Sequence, residues 1–124
     1  MSQFENNIKE YDLEERTMKF SNELITFCKL CPKNIITIPL INQLIRCGTS
    51  IGANYREANG ASSKKDFQNK IFICKKESKE TFYWLELIGQ AIEEEKLKVM
   101  CRNLWQESKE FTLIFGKIAY STRK

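Results

Sequence analysis

The stretch RCGTSIGANYREANGASSKKDF, residues 46–67, decides how this chain folds. Leu40, Ile41, Leu44, Gly48, Ile51, Tyr55 and Ala58 share one face at 100° per residue, while Arg46, Ser50, Asn54 and Glu57 share the opposite one. This predicts an amphipathic helix over about 38–58, with Pro39 in its first turn, where a missing N–H costs nothing. Asn59-Gly60 supplies the stop. Ser62 or Ser63 then caps a further helix, and Asp66, three residues after Ser63, complements the positive end of its dipole. Gly48 and Gly52 lie one turn apart inside the first of these helices, each costing about 0.5–1 kcal/mol against alanine. No turn needs them there, so the pair predicts a close crossing with a neighbouring helix.

Upstream, Leu13, Phe20, Leu24, Phe27 and Cys31 recur at near 3.5-residue spacing and end at Pro32. With Asp12 and Glu15 as a capping-box-like start, they predict a helix over about 12–31, preceded by a flexible lead-in at residues 1–10. Downstream, Phe67, Ile71, Cys74, Ser78, Phe82, Leu85, Ile88 and Ile92 form the core stripe of a helix of about 28 residues. Glu93-Glu94-Glu95 favours the start of a last helix. Leu97, Met100, Leu104, Ser108, Phe111, Phe115 and Ile118 carry it to about Tyr120, and Arg123-Lys124 complements its C-terminal dipole. Four helices, short connections and no strand pattern predict an all-α, antiparallel up-down-up-down four-helix bundle over residues 11–124. A three-helix core with a loosely docked first helix fits less well, because that helix has a clean apolar seam.

A chain of 124 residues can bury a core without disulfide staples. Its five cysteines, odd in number and embedded in helical patterns, agree with a reducing, cytoplasmic setting, as does a polar N-terminus without a signal-peptide pattern. No apolar run is long enough to span a membrane. Lys and Arg number 20 against 16 Asp and Glu, but the surplus is uneven. Residues 1–31 carry six acids and four bases, and residues 32–124 ten acids and sixteen bases, so an anionic partner should meet the later part. There is no histidine, which removes the commonest general base and metal ligand.

Candidate chemistry is therefore sparse. Cys28-Lys-Leu-Cys31 has the spacing of a zinc or thiol-exchange pair, but no second pair completes four zinc ligands. Two buried structural thiols fit better. Glu57, Glu77 and Glu80 could sit on facing helices, yet the histidines of a bundle di-metal site are missing, and ion pairs with Lys or Arg are the simpler reading. No cofactor, metal or small-molecule substrate is expected. Lys65, Lys76 and Lys79 fall within about 60° of one another on the third helix, with Gln68, Phe72 and Tyr83 on or beside the same stripe. Lysines interleaved with aromatics suit phosphate attraction and base stacking. Phe72, Tyr83 and Leu87 are also apolar positions that a single bundle would leave exposed, which suits a subunit contact. Trp84 and Trp105 read as boundary core residues. Arg46, Ser50, Asn54 and Glu57 form a polar line suited to hydrogen bonding within the helix or across to another.

The segments RCGTSIGANYREA, SKKDF and ICKKESKET-x-YWL-x-LI resemble the four-helix-bundle family of 23S ribosomal RNA intervening-sequence proteins. The resemblance covers about residues 12–120 and is strongest over 46–88. Ser50, Ile51, Ala53, Asn54, Glu57, Lys65, Asp66 and Phe67 match the family's signature. Gly52 stands where many members have proline, and Glu57-Ala58 where many have Glu-Gly, which marks a subgroup rather than another fold. The resemblance implies a ring, typically a pentamer, of antiparallel bundles. The accessory variability determinant proteins of diversity-generating retroelements look similar in fold, and imply a basic pentamer engaging a reverse transcriptase and its RNA.

Two functions follow as expectations. The first is a non-catalytic, ring-forming bundle that binds RNA or DNA, or a nucleoprotein partner such as a reverse transcriptase. Its contacts would be Arg56, Lys64, Lys65, Lys75, Lys76 and Lys79, with Arg46, Ser50, Asn54, Glu57, Phe72, Tyr83 and Trp84 making oligomer or helix contacts. The second is a protein–protein scaffold without nucleic-acid affinity. An enzyme built on Glu57, Glu77 and Glu80 is a distant third.

Overall fold

A computed structural model describes the backbone of residues 2–122 and the side chains of residues 13–122. Four helices make up the described chain: α1 (Ser2–Leu30), α2 (Thr37–Asn59), α3 (Lys64–Ala91) and α4 (Glu95–Thr122). Helix α1 is helical from Ser2, ten residues before the start read from Asp12. The side chains of residues 1–12, Asp12 among them, and the basic end Arg123-Lys124 lie outside what is described. Helix α3 begins as expected, with the Ser63 hydroxyl accepting from Asp66 N at 3.0 Å.

Helix α2 ends at the expected Asn59-Gly60 stop, without a left-handed glycine. Gly60 sits at φ −99°, and none of the described residues has a positive φ. Its N–H is shared between Arg56 O and Glu57 O at 3.2 and 3.1 Å, so the last turn closes on itself without using glycine's extra freedom.

Contacts between neighbouring helices run in opposite registers. Along α1 and α2, Glu14 meets Asn59, Thr17 meets Gly52, and Leu24 meets Gly48. Along α2 and α3, Arg46 meets Glu77 and Glu80, and Glu57 meets Lys70. Along α3 and α4, Gln68 donates to Thr122 O while Phe82 stacks on Trp105, ring centroids 4.8 Å apart. Helices α1 and α4 close the bundle through Phe20 edge-on to Phe111 at 5.4 Å and a two-pronged Arg16–Glu107 pair at 2.7 and 3.0 Å. The core is one cluster in which Phe20, Phe27, Phe111, Phe115, Leu24, Leu44, Ile51, Ile71, Leu85 and Ile88 are fully enclosed.

Two details of the core depart from the periodicity. Phe67, Phe82, Met100 and Ile118 are half-buried at its rim, whereas Glu77 and Thr81 are buried. Helix α3 turns its small residues Cys74, Ser78 and Thr81 into the bundle, where their polar atoms reach backbone carbonyls: Cys74 Sγ to Ile51 O at 3.6 Å, Ser78 Oγ to Cys74 O and Thr81 Oγ1 to Glu77 O at 2.7 Å. Small, locally satisfied side chains allow close approach at little polar cost. Leu87, expected on the surface, is half-buried.

The glycine pair does mark a close crossing. A Cβ on Gly48 would lie 2.2 Å from Leu24 Cδ2, and one on Gly52 would lie 3.0 Å from Thr17 Oγ1 and 3.6 Å from the Thr17 backbone carbon. Leu24 has no exposed surface into which to swing. Gly48→Val should destabilise the fold by about 1–3 kcal/mol, as overpacking does. Gly60→Ala, whose Cβ would sit 3.8 Å from the nearest carbonyl oxygens, should shift stability by less than about 0.5 kcal/mol. Equilibrium urea unfolding of the two variants reads both.

Candidate functional site

The polar line of α2 faces α3 and is engaged within the bundle. Arg46 is half-exposed and reaches Glu77 Oε2 at 3.3 Å, Glu80 Oε2, and Gln43 Oε1 at 3.4 Å. The Glu77 side chain is 10% exposed, so the guanidinium is what makes a buried carboxylate tolerable there. Asn54 Nδ2 donates to both Ser50 O and Ser50 Oγ at 2.9 Å. Glu57 pairs with Lys70 at 2.7 Å, and the same hydrogen bond and charge raise the Lys70 pKa. The three glutamates singled out as candidate acids therefore each have a cationic partner across the α2–α3 seam. Among the described residues, no group of three His, Cys, Asp or Glu could hold a metal ion.

The expected basic residues fall on two faces. Arg56 lies on the α1 side of α2, 3.8 Å from Glu14, beside a shallow groove also lined by Glu15, Met18 and Glu23. It does not join the lysines. Lys64, Lys65, Lys75, Lys76 and Lys79 are exposed along the outer face of α3, and Lys75 lays its stem towards Gly116 of α4. Among the described residues, no carboxylate ion pair engages Lys65, Lys75, Lys76 or Lys79. Phe72 and Tyr83, 38% and 53% exposed, lie on the same outer face. Lys65 to Tyr83 covers about 27 Å at 1.5 Å per residue. Trp84 is half-buried against the core with Tyr83 edge-on at 5.1 Å, and its buried Nε1 lacks a hydrogen-bond partner. Trp105 donates to Glu86 at 3.3 Å and lies under Lys109 Nζ, 5.7 Å from the ring centroid.

Sequence reasoning missed two features. Arg16, which ties α1 to Glu107 and Glu110 of α4 and covers the Phe111 ring at 5.4 Å, carries no local pattern that announces so distant a partner. The burial of Glu77 was partly legible: it stands among the small residues Cys74, Ser78 and Thr81, where neighbouring helices come closest.

All five cysteines are buried and unpaired. Burial pushes the Cys28 thiol up to about 12, with Cys31 adding to the effect and Lys33 opposing it. Burial likewise raises Cys74 to about 12, and Cys47 and Cys101 to about 11. Such groups are thiols at neutral pH, and Cys28 and Cys31, 4% and 3% exposed, are part of the core.

These features define a class: an all-helical bundle whose glutamates along the α2–α3 seam are tied up in ion pairs, whose thiols are buried, and whose outward side on α3 is basic and aromatic. The chain belongs to the family of 23S rRNA-intervening sequence proteins, whose family model matches residues 9–113. It is also similar to a crystal structure of a protein of unknown function from the S23 ribosomal protein family of Bacteroides thetaiotaomicron. The two are 30% identical, with a TM-score of 0.72, over 90% of this chain and 98% of that one. No curated protein matches.

The raised thiols predict a pH dependence. Between pH 9, where an unfolded thiol titrates, and the folded values of about 11–12, the unfolded chain releases protons that the folded chain keeps. Stability from this source is complete below pH 9 and falls as pH rises above it. The urea midpoint should drop between about pH 8 and about pH 10, and less steeply in a Cys28→Ala/Cys74→Ala variant.

Proposed function

We propose that this protein is a non-catalytic, self-associating helical module that binds RNA, or a nucleoprotein partner, along the outer face of α3. The observation that carries the reading is the exposed run Lys65, Phe72, Lys76, Lys79 and Tyr83, in which positive charge without ion pairing alternates with aromatic rings. Lysine ammonium groups attract phosphate at any sequence, and aromatic faces accept an unstacked base of any identity. The family's name associates it with 23S rRNA, which supports RNA as the anion.

Self-association into a ring draws on sidedness. The outward side of α1 carries Glu15 and Glu23 with Met18 and Ile25, Glu23 lying 3.9 Å from Lys19, while α3 and α4 present lysine and arginine. An acidic, partly apolar face opposite basic, partly apolar ones suits a heterologous contact that repeats until it closes. Phe72 and Tyr83 would serve that contact where they do not stack on bases. A protein scaffold without nucleic-acid affinity is the second reading, favoured by the same exposed aromatics, and predicts a partner whose capture survives nuclease.

The test is RNA binding by fluorescence anisotropy across a salt series. A Lys65→Glu/Lys76→Glu/Lys79→Glu variant should lose about tenfold or more in affinity at low salt, and its salt slope should flatten by about 2–3. Unchanged affinity in a variant that keeps its helical circular-dichroism spectrum refutes the reading. Light scattering on Phe72→Ser/Tyr83→Ser should show a smaller oligomer if these rings join subunits.

A further inference from the structure

A cleft of about 380 Å³ opens between α3 and α4 towards the C-terminal end of α3, within the range of about 300–1,000 Å³ usual for small-ligand pockets. Its floor is closed by Cys101 Sγ on Leu85 O at 3.3 Å. One wall is Trp105, fixed by its stack on Phe82, by its Nε1–H on Glu86 Oε1 and by Lys109 over the ring. Lys98 and Arg102 line the α4 side, and Gln90 the α3 side. The two cations are exposed and one helical turn apart. Among the described residues, no carboxylate ion pair engages either of them.

Gly89 also lines the cleft. Glycine weakens a helix interior, and at Gly48 the packing of α1 accounts for it. At Gly89 packing does not. A Cβ there would lie 3.6 Å from Cys101 Sγ, an ordinary contact, and no left-handed backbone requires glycine. What it leaves is open space and access to the helix backbone, as at positions where a ligand comes close.

The charges are mixed, and the mixture selects the occupant. Glu86 accepts from Trp105 through one oxygen and keeps acceptor capacity on the other. Glu94 and Glu95 lie about a turn before Lys98, Lys109 lies beyond Trp105, and Lys79 is two turns back along α3. A ligand that is anionic throughout gains from Lys98 and Arg102 but meets Glu86. A nucleotide satisfies both ends. Its phosphate suits Lys98 and Arg102, whose guanidinium can take two oxygens. Its base lies along Trp105, and an exocyclic amino group on its edge can donate to Glu86, with Gln90 able to donate or accept. In an RNA duplex that edge is paired and its groove is too deep and narrow for side chains to read, so only an unpaired base fits. We infer that the cleft holds one unpaired nucleotide of an RNA strand, with cytosine or adenine favoured over uracil, whose carbonyl oxygens would face the carboxylate. The inference rests on the RNA reading above and narrows it: the lysine face of α3 attracts the strand, and the α3–α4 cleft selects it.

The test is fluorescence anisotropy of the full chain with short homopolymeric RNA strands of cytidine, adenosine and uridine, alone or annealed into duplexes. The cytidine and adenosine strands should bind about fivefold or more tightly than the uridine strand, and than their own duplexes. Lys98→Glu/Arg102→Glu should weaken the cytidine strand by about tenfold. Glu86→Gln should bring the three strands to within about twofold of one another. Gly89→Met, which fills the cleft and leaves every charge, should weaken the cytidine strand comparably. Lys98, Arg102 and Glu86 are exposed, so their variants should keep the parent's circular-dichroism spectrum. Parent-like binding by Lys98→Glu/Arg102→Glu, where Lys65→Glu/Lys76→Glu/Lys79→Glu loses affinity, overturns the cleft and leaves the α3 reading standing. No binding of any strand by the parent chain overturns both. An oligoglutamate peptide binding as tightly as the strand assigns the cleft to an acidic protein segment, and cytidine monophosphate doing so assigns it to a free nucleotide. Either result also overturns the inference.

Discussion

Helix α2 has to be approached closely on two adjacent sides at once, and the rest of the bundle follows from that constraint. On one side α1 comes down onto Gly48 and Gly52, where Leu24 and Thr17 occupy the space that larger side chains would fill. On the other side α3 brings Cys74, Ser78 and Thr81, small enough to let its backbone near and able to return their hydrogen bonds to helical carbonyls. Gly48 and Gly52 weaken α2 as an isolated helix by about 0.5–1 kcal/mol each, which tertiary packing offsets. Helix α4 then completes the core with Phe111 and Phe115, meeting Phe20 of α1 and Tyr55 of α2.

The same constraint separates structural from available charge. Because α3 lies close along α2, the polar line of α2 is drawn into the seam: Arg46 on Glu77 and Glu80, Glu57 on Lys70, Asn54 on Ser50. That line holds helices together. The positive charge left outward is on the far side of α3, where Lys65, Lys76 and Lys79 stand beside Phe72 and Tyr83. The acids that could suggest an active centre are the ones already neutralised, and the thiols that could suggest redox or metal chemistry are enclosed and protonated.

Much of this was legible in the chain itself. Apolar spacing located the four helices, Ser63 and Asp66 gave the start of α3, and two glycines without a turn to make announced the α1–α2 crossing. The misses share a cause. Periodicity places a face to within a residue or two, but not which edge of it a neighbour covers, so Phe82, expected in the core stripe, lies at its rim, and Glu77 is buried. Arg56 shares a sign with the α3 lysines but not a direction, since its neighbour Glu14 lies on α1. Long-range pairs such as Arg16 with Glu107 leave no local trace.

The central claim is that recognition belongs to the outer face of α3, while the α2–α3 seam is internal scaffold. Amine-selective acetylation of the folded protein, with and without a structured ribosomal RNA hairpin, read by mass spectrometry, tests it most directly. The account predicts that RNA protects Lys65, Lys76 and Lys79 while leaving Lys70, in the seam, and Lys19 and Lys29, on α1, at their unbound rates. Protection concentrated on α1, or equal protection at every lysine, would contradict it.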